Sequence, residues 1–226
     1  AYYTYKILEE AGLPPGVINM LPADDGSAVG TPALESEHFS GLHFTGSQQT
    51  FNHLWSTIGE NLGQYRTYPT IVGETGGKDF IVAHSSADVS QLSTAIVRGA
   101  YEYQGQKCSA SSRLYVPRSL WPEVRDEVGA HLDDISMGPP EDFTNFVNAV
   151  IDQRAYDKIV GYIEDAREDE NAEIVYGGNY DDSTGYFIEP TLIRALDPKQ
   201  TTMKEEIFGP VTTVYVYPDE EYASTL

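Results

Sequence analysis

Apolar positions recur along the chain in two alternating rhythms. Residues 3–11 carry a helical period, closed by Gly12 and then Pro14-Pro15. The apolar run at 17–21 predicts a short strand. Residues 26–34 predict a weak helix, and 42–45 a strand running into Gly46-Ser47. Phe51, Leu54, Trp55, Ile58 and Leu62 share one face of a helix. Strands are predicted at 70–72 and 80–83, on either side of Gly73-Glu74-Thr75-Gly76-Gly77-Lys78. Asp88 is placed to cap the next helix, with an expected buried stripe of Val89, Leu92, Ile96, Ala100 and Tyr103. A glycine-bounded loop, Gly105-Gln106-Lys107-Cys108, leads to a strand at 113–116. Helices at 120–132 and 152–167 follow, with strands at 174–176, 188–193 and 211–217. Alternating helix and strand from end to end predicts an α/β fold. There is no internal repeat, low-complexity tract or obvious flexible linker.

At 226 residues the chain suffices for one large domain or two small ones. A hydrophobic fraction of 40% is ample for a core, yet no stretch nears the roughly 18 apolar residues of a membrane helix. The chain therefore reads as soluble and globular, without a membrane partner. Lys and Arg number 14 against 35 Asp and Glu, a formal charge of −21. Such a field repels phosphate backbones, and no basic stripe offsets it, so nucleic acid is excluded as a partner. Sparse lysine and acidic clusters such as Glu164-Asp165-Ala166-Arg167-Glu168-Asp169-Glu170 favour adaptation to a salt-rich cell. The plainer alternative is an acidic protein with no such adaptation. The single cysteine rules out an intrachain disulfide and fits a reducing compartment, the cytoplasm or, for a eukaryotic source, the mitochondrial matrix. The chain starts at Ala1 inside a helical pattern and stops at Leu226 where another helix begins. Both ends are expected to be cuts through helices.

A lone cysteine is more often a small buried hydrophobe than a nucleophile. Cys108 departs from that pattern. It lies in a Gly-rich loop after a helix, beside Lys107 and ahead of Arg113, where cations and backbone N–H groups favour thiolate. Glu74, flanked by glycines after an apolar strand, is a candidate to take a proton from water, although in isolation a solvated loop carboxylate is the better account. In Lys204-Glu205-Glu206-Ile207-Phe208-Gly209-Pro210 an acidic pair and a fixed aromatic suit a ribose and a flat ring, against the alternative of an ordinary turn. Phe44-Thr45-Gly46-Ser47 opens a helix whose N–H groups suit a pyrophosphate, without the Gly-x-Gly-x-x-Gly pattern. No metal site is expected.

Together these segments resemble the aldehyde dehydrogenase superfamily. Gly73-Glu74-Thr75-Gly76-Gly77-Lys78 resembles its general-base motif, Gly105-Gln106-Lys107-Cys108-Ser109-Ala110 its nucleophile motif, and Glu205-Glu206-Ile207-Phe208-Gly209-Pro210 its nicotinamide-side motif. The branch that oxidises glutamate semialdehyde, which cyclises to 1-pyrroline-5-carboxylate, is the most similar. Phe51 stands where most members have Gly, and Tyr101 to Ala110, Asp181 to Pro190 and Tyr215 to Asp219 also match that branch. The resemblance implies Cys108 as nucleophile and Glu74 as base, with NAD as cofactor. It places Gly46 and Ser47 by the pyrophosphate, Glu206 on the nicotinamide ribose and Phe208 against the nicotinamide. Ser109 is implied at the carboxylate end of the substrate, glutamate semialdehyde, with Lys107 in a supporting role. The implied fold is the C-terminal part of a Rossmann-like NAD domain, residues 1–74, followed by a truncated α/β catalytic domain, residues 75–226. Members of the family are about twice this length and form homo-oligomers. The chain is thus expected to be an internal piece, inactive alone. Alternatives are a dehydrogenase for another semialdehyde such as succinate semialdehyde, a CoA-acylating relative, or a non-catalytic module that keeps the fold.

Overall fold

Residues 1–226 are all described by the computed structural model, and their contacts fall into two units, Ala1–Thr75 and Gly76–Leu226. The first unit runs α1 (Tyr2–Glu10), α2 (Ser27–Leu34), β1 (Gly41–Thr45), α3 (Gln48–Glu60) and β2 (Thr70–Glu74). α1 stops where the N–H groups of Gly12 and Leu13 turn back to the carbonyls of Glu9 and Leu8, the paired bonds of a helix end. β1 and β2 pair in parallel, from Gly41 opposite Thr70 to Thr45 opposite Glu74. Parallel neighbours require a crossover, and α3 provides it. Ser47 caps α3 by accepting the Thr50 N–H at 3.1 Å, and Ile58 is buried on its inner face.

The strand expected at 17–21 does not form. The Val17 N–H bonds back to Pro14 O in a turn, and Val17, Ile18 and Leu21 are exposed with no strand beside them. A short apolar run becomes a strand only where a neighbour completes its ladder.

The second unit runs β3 (Asp79–Val82), α4 (Val89–Tyr101), β4 (Ser111–Pro117), α5 (Trp121–Asp133), α6 (Gln153–Glu168), β5 (Ala172–Tyr176), β6 (Tyr180–Asp181), β7 (Phe187–Ile188), β8 (Thr191–Ala195), α7 (Thr201–Lys204), β9 (Val211–Tyr217) and α8 (Tyr222–Thr225). Five strands form one sheet in the order β3-β4-β9-β8-β5, parallel except at the β5–β8 edge. On one face Leu92, Ile96 and Ala100 of α4 and Val124 and Val128 of α5 pack with Leu114, Val116, Leu192 and Val214. On the other, Tyr156, Ile159 and Ile163 of α6 pack with Ile193 and Val211. Leu192 and Ile193 are successive residues buried on opposite faces, as the pleat's period of two requires. Each such side chain contributes about 1.5–3 kcal/mol on burial, so the sheet with its helices carries most of the unit's stability.

Two expectations in this unit fail for stated reasons. The run at 188–193 is two strands, because Pro190 has no N–H for a ladder: β7 pairs with β6 in a hairpin, and β8 enters the main sheet. Tyr103 is not on the buried stripe of α4. The helix ends at Tyr101, which is fully buried, and Tyr103 lies beyond it and is 64% exposed.

Candidate active site

Three short segments of the second unit meet around one turn. α4 gives way to a turn in which Tyr103, Gln104 and Gly105 all take left-handed backbone, with φ of +54°, +57° and +64°. Each non-glycine residue there costs roughly 1–2 kcal/mol. Gly105 is required twice over, by its φ and because a Cβ would overlap the carbonyl oxygen of Gly209. The chain then closes a second turn, Ala110 N–H to Lys107 O at 3.1 Å, with Cys108 and Ser109 at its exposed tip. Buried Ala110 anchors the turn to the start of β4.

Gly76 and Gly77 form the second segment. The N–H of Gly77 donates to Glu206 Oε1 at 3.0 Å. A Cβ on Gly76 would overlap the Glu206 carboxylate, and one on Gly77 would overlap the carbonyl oxygen of Cys108. This glycine pair therefore lies against both the thiol-bearing turn and the carboxylate. The third segment, after α7, holds that carboxylate in place. Lys158 of α6 donates to the Glu206 carbonyl at 2.8 Å, and Tyr162 donates to Glu205 Oε2 at 2.7 Å. Burial, with the bond to Glu205, pushes the Tyr162 phenol up to about 12. Phe208 has φ +61° and an exposed ring. Tyr103, Gln104 and Phe208 are the chain's non-glycine residues with positive φ, and all lie in these segments. Backbone strain concentrated in this way is characteristic of functional sites.

The cations do not behave as their sequence positions suggest. Lys107 pairs with Glu102 at 2.7 Å across the turn, and the Arg113 guanidinium lies over the Phe80 ring at 5.4 Å. Neither is directed at the thiol, so its activation by these two neighbours is not supported. Lys78 was not singled out by pattern. Its ammonium is shielded from solvent without a hydrogen-bond partner, and burial, then Arg113, lowers its pKa to about 8 against the opposing effect of Glu206.

In the first unit, Glu74 ends β2 and is exposed, and its carbonyl accepts the Gly46 N–H at 3.1 Å. Gly46 and Glu74 thus sit side by side at the carboxyl ends of two parallel strands, where ligands of α/β sheets bind. The Ser47 hydroxyl is committed to the α3 cap and to Thr50 Oγ1 at 2.8 Å, which leaves the N–H groups of the first turn as donors. Phe51 stacks on Phe44 at 5.9 Å and occupies the space above Gly73, where a Cβ would overlap its ring.

The model of the aldehyde dehydrogenase family matches residues 1–226. A mitochondrial delta-1-pyrroline-5-carboxylate dehydrogenase of Bos taurus is 50% identical over 227 residues, covering 100% of this chain and 40% of that protein; the Homo sapiens protein of the same name is 48% identical. Among solved structures, the delta-pyrroline-5-carboxylate dehydrogenase of Mycobacterium tuberculosis bound with NAD superposes with a TM-score of 0.92 at 49% identity. That superposition covers 99% of this chain and 40% of that one. The Thermus enzyme with bound NAD gives 0.90 at 33% identity, covering 98% and 42%. The chain spans about 40% of the length of the curated relatives it matches. With a family match along its whole length and the α/β architecture to go with it, this chain belongs to the aldehyde dehydrogenase family.

Proposed function

We propose that this chain is part of an NAD-dependent dehydrogenase that oxidises glutamate semialdehyde, the open form of 1-pyrroline-5-carboxylate, to glutamate. The observation that carries the reading is the Gly76–Gly77 contact, which packs the backbone of Cys108 and the carboxylate of Glu206 against the same two residues. A thiol-bearing turn and a carboxylate suited to a ribose hydroxyl, held against one glycine pair, fit the transfer of hydride from a thiol-bound substrate. Kinship at about 50% identity to proteins named for this substrate supports the branch. On this reading Ala1–Thr75 belongs to the NAD-binding domain and Gly76–Leu226 to the thiol-bearing domain, and the whole protein is a homo-oligomer.

The residues present suit a dinucleotide. The capped N-terminus of α3 offers free N–H groups to a pyrophosphate, Glu206 keeps Oε2 available for a ribose hydroxyl, and the exposed Phe208 ring presents a flat apolar face. NAD, when bound, supplies the hydride acceptor. Cys108 Sγ adds to the aldehyde carbon, forming a C–S bond and a thiohemiacetal. Loss of that carbon's hydride, for which bound NAD would be the acceptor, and of the hydroxyl proton to solvent leaves a thioester on Cys108. Glu74 takes a proton from water, the resulting hydroxide adds to the thioester carbon, and the C–S bond breaks to release the carboxylate and the thiolate. Ser109, next to the thiol at the turn's tip, meets the substrate's carboxylate end, and Lys107 supports it through Glu102.

The test uses the longer protein that contains this chain. NADH formation with 1-pyrroline-5-carboxylate is expected to exceed that with succinate semialdehyde or a plain aliphatic aldehyde, and Cys108→Ala is expected to abolish it. Equal rates on the three substrates would remove the branch assignment; activity that survives the substitution would remove the nucleophile.

A further inference from the structure

The turn that carries Cys108 is strained, and two amide side chains tie it down. Gln104, left-handed and buried, donates from Nε2 to the Ala149 carbonyl at 3.3 Å. Gln106 bridges in both directions: its Nε2 donates to the Tyr103 carbonyl at 3.4 Å, and its Oε1 accepts the Ile151 N–H at 3.0 Å. The partner segment is itself fixed. Val150 is buried in the α6 cluster, and its N–H bonds to Tyr186 O at 2.9 Å. Two non-glycine residues in left-handed backbone persist only where surrounding contacts over-determine them. Gly105 against Gly209 closes one side of the turn, and the two glutamines close the other. Neither glutamine is needed for the sheet, since α4 is already anchored by Tyr101, whose hydroxyl donates to Thr191 O at 3.1 Å.

We propose that Gln104 and Gln106 are positioning residues, which hold the left-handed Tyr103–Gly105 turn against residues 149–151 and thereby set the orientation of the Cys108 thiol. The proposal rests on the reading that Cys108 is the reacting group. Without the two amides the turn relaxes toward ordinary right-handed or extended backbone, and the tip at Cys108-Ser109 loses its fixed direction. The fold remains, because the buried clusters on either face of the sheet do not involve these side chains.

Because the chain has one cysteine, alkylation by iodoacetamide reads Cys108 alone. The rate constant of the native chain is compared with Gln104→Leu, Gln106→Leu and the surface control Gln153→Leu, and with the chain unfolded in urea as the reference for a free thiol. The two turn variants are expected to change the rate constant at least fivefold, toward the unfolded reference, while the control stays within twofold. Gln106→Glu, which keeps the acceptor for Ile151 but loses the donor to Tyr103, is expected to fall between. Rate constants within twofold of the native chain for both leucine variants would overturn the proposal. If the leucine variants do not fold, Gln104→Glu and Gln106→Glu decide instead: a change beyond twofold in both sustains the proposal, rate constants within twofold for both overturn it, and their failure to fold would reduce the glutamines to a structural role. No turnover enters the readout, so this result is independent of the Cys108→Ala activity test.

Discussion

Single atoms decide the site more than its residue types do. Adding a Cβ to Gly76 pushes on the Glu206 carboxylate, the far end of a flexible side chain, whereas adding one to Gly77 pushes on the backbone carbonyl of Cys108. Gly77→Ala is therefore expected to lower stability by roughly 1–3 kcal/mol, as overpacking does, and Gly76→Ala by less. In the longer protein Gly76→Ala is expected instead to weaken NAD binding severalfold, as read by calorimetry; unchanged affinity would mean that Glu206 does not meet the cofactor. Lys78 makes a second residue-scale case. Its folded pKa, about 8, lies below the unfolded value of 10.5, so the unfolded chain binds more protons between those values. The native state carries this penalty in full below pH 8 and sheds it as pH rises through 8 to 10.5. At 1.36 kcal/mol per unit the gap amounts to roughly 3 kcal/mol. Lys78→Met is expected to be most stabilising at neutral pH and to lose that advantage by pH 10, as followed by urea unfolding across the range; a pH-independent difference would refute the burial of its charge.

At the scale of elements, the two ends of α3 and α7 show how local chemistry sets up distant groups. Ser47 closes the first turn of α3, so Ser47→Ala is expected to cost about 1 kcal/mol in chemical denaturation. α7 is only four residues long and is held by a buried network: Gln200 Oε1 accepts the Thr202 N–H at 2.6 Å, and Thr213 of β9 donates to Thr202 Oγ1 at 2.7 Å. Thr213→Val removes one of the two hydrogen bonds of the buried Thr202 hydroxyl, which keeps its bond to Gln200, and is expected to cost about 0.5–1.5 kcal/mol in urea unfolding. Most long elements were legible beforehand, since α4, α5 and α6 each show a full apolar stripe and α4 and α6 an aspartate at the N-cap. What was not legible had too few residues to show a period. The β6–β7 hairpin and α7 exist because partner strands and a buried threonine are waiting for them. The run at 17–21 had the composition of a strand and no partner.

For the whole molecule, a charge of −21 on 226 residues repels itself, and screening shortens that repulsion to about 3 Å at molar salt. On the high-salt reading, melting temperature is expected to rise by roughly 5 °C or more between 0.1 M and 2 M KCl. A flat profile would leave the acidic surface without that explanation. The sequence alone determined the α/β class, the long helices and strands, and the short segments that carry chemical groups, because period, capping and glycine placement act within a few residues of the chain. It also determined family membership, since three motifs recur in order. Tertiary structure alone decided that Gly76 and Gly77 lie under both Cys108 and Glu206, that Lys107 turns to Glu102, and that Gln104 and Gln106 brace the thiol's turn on residues 149–151. Lys107 and Glu102 meet across five residues because the left-handed turn folds the chain back between them, whereas the other contacts join positions tens of residues apart that only the packing of helices on both faces of one sheet brings together.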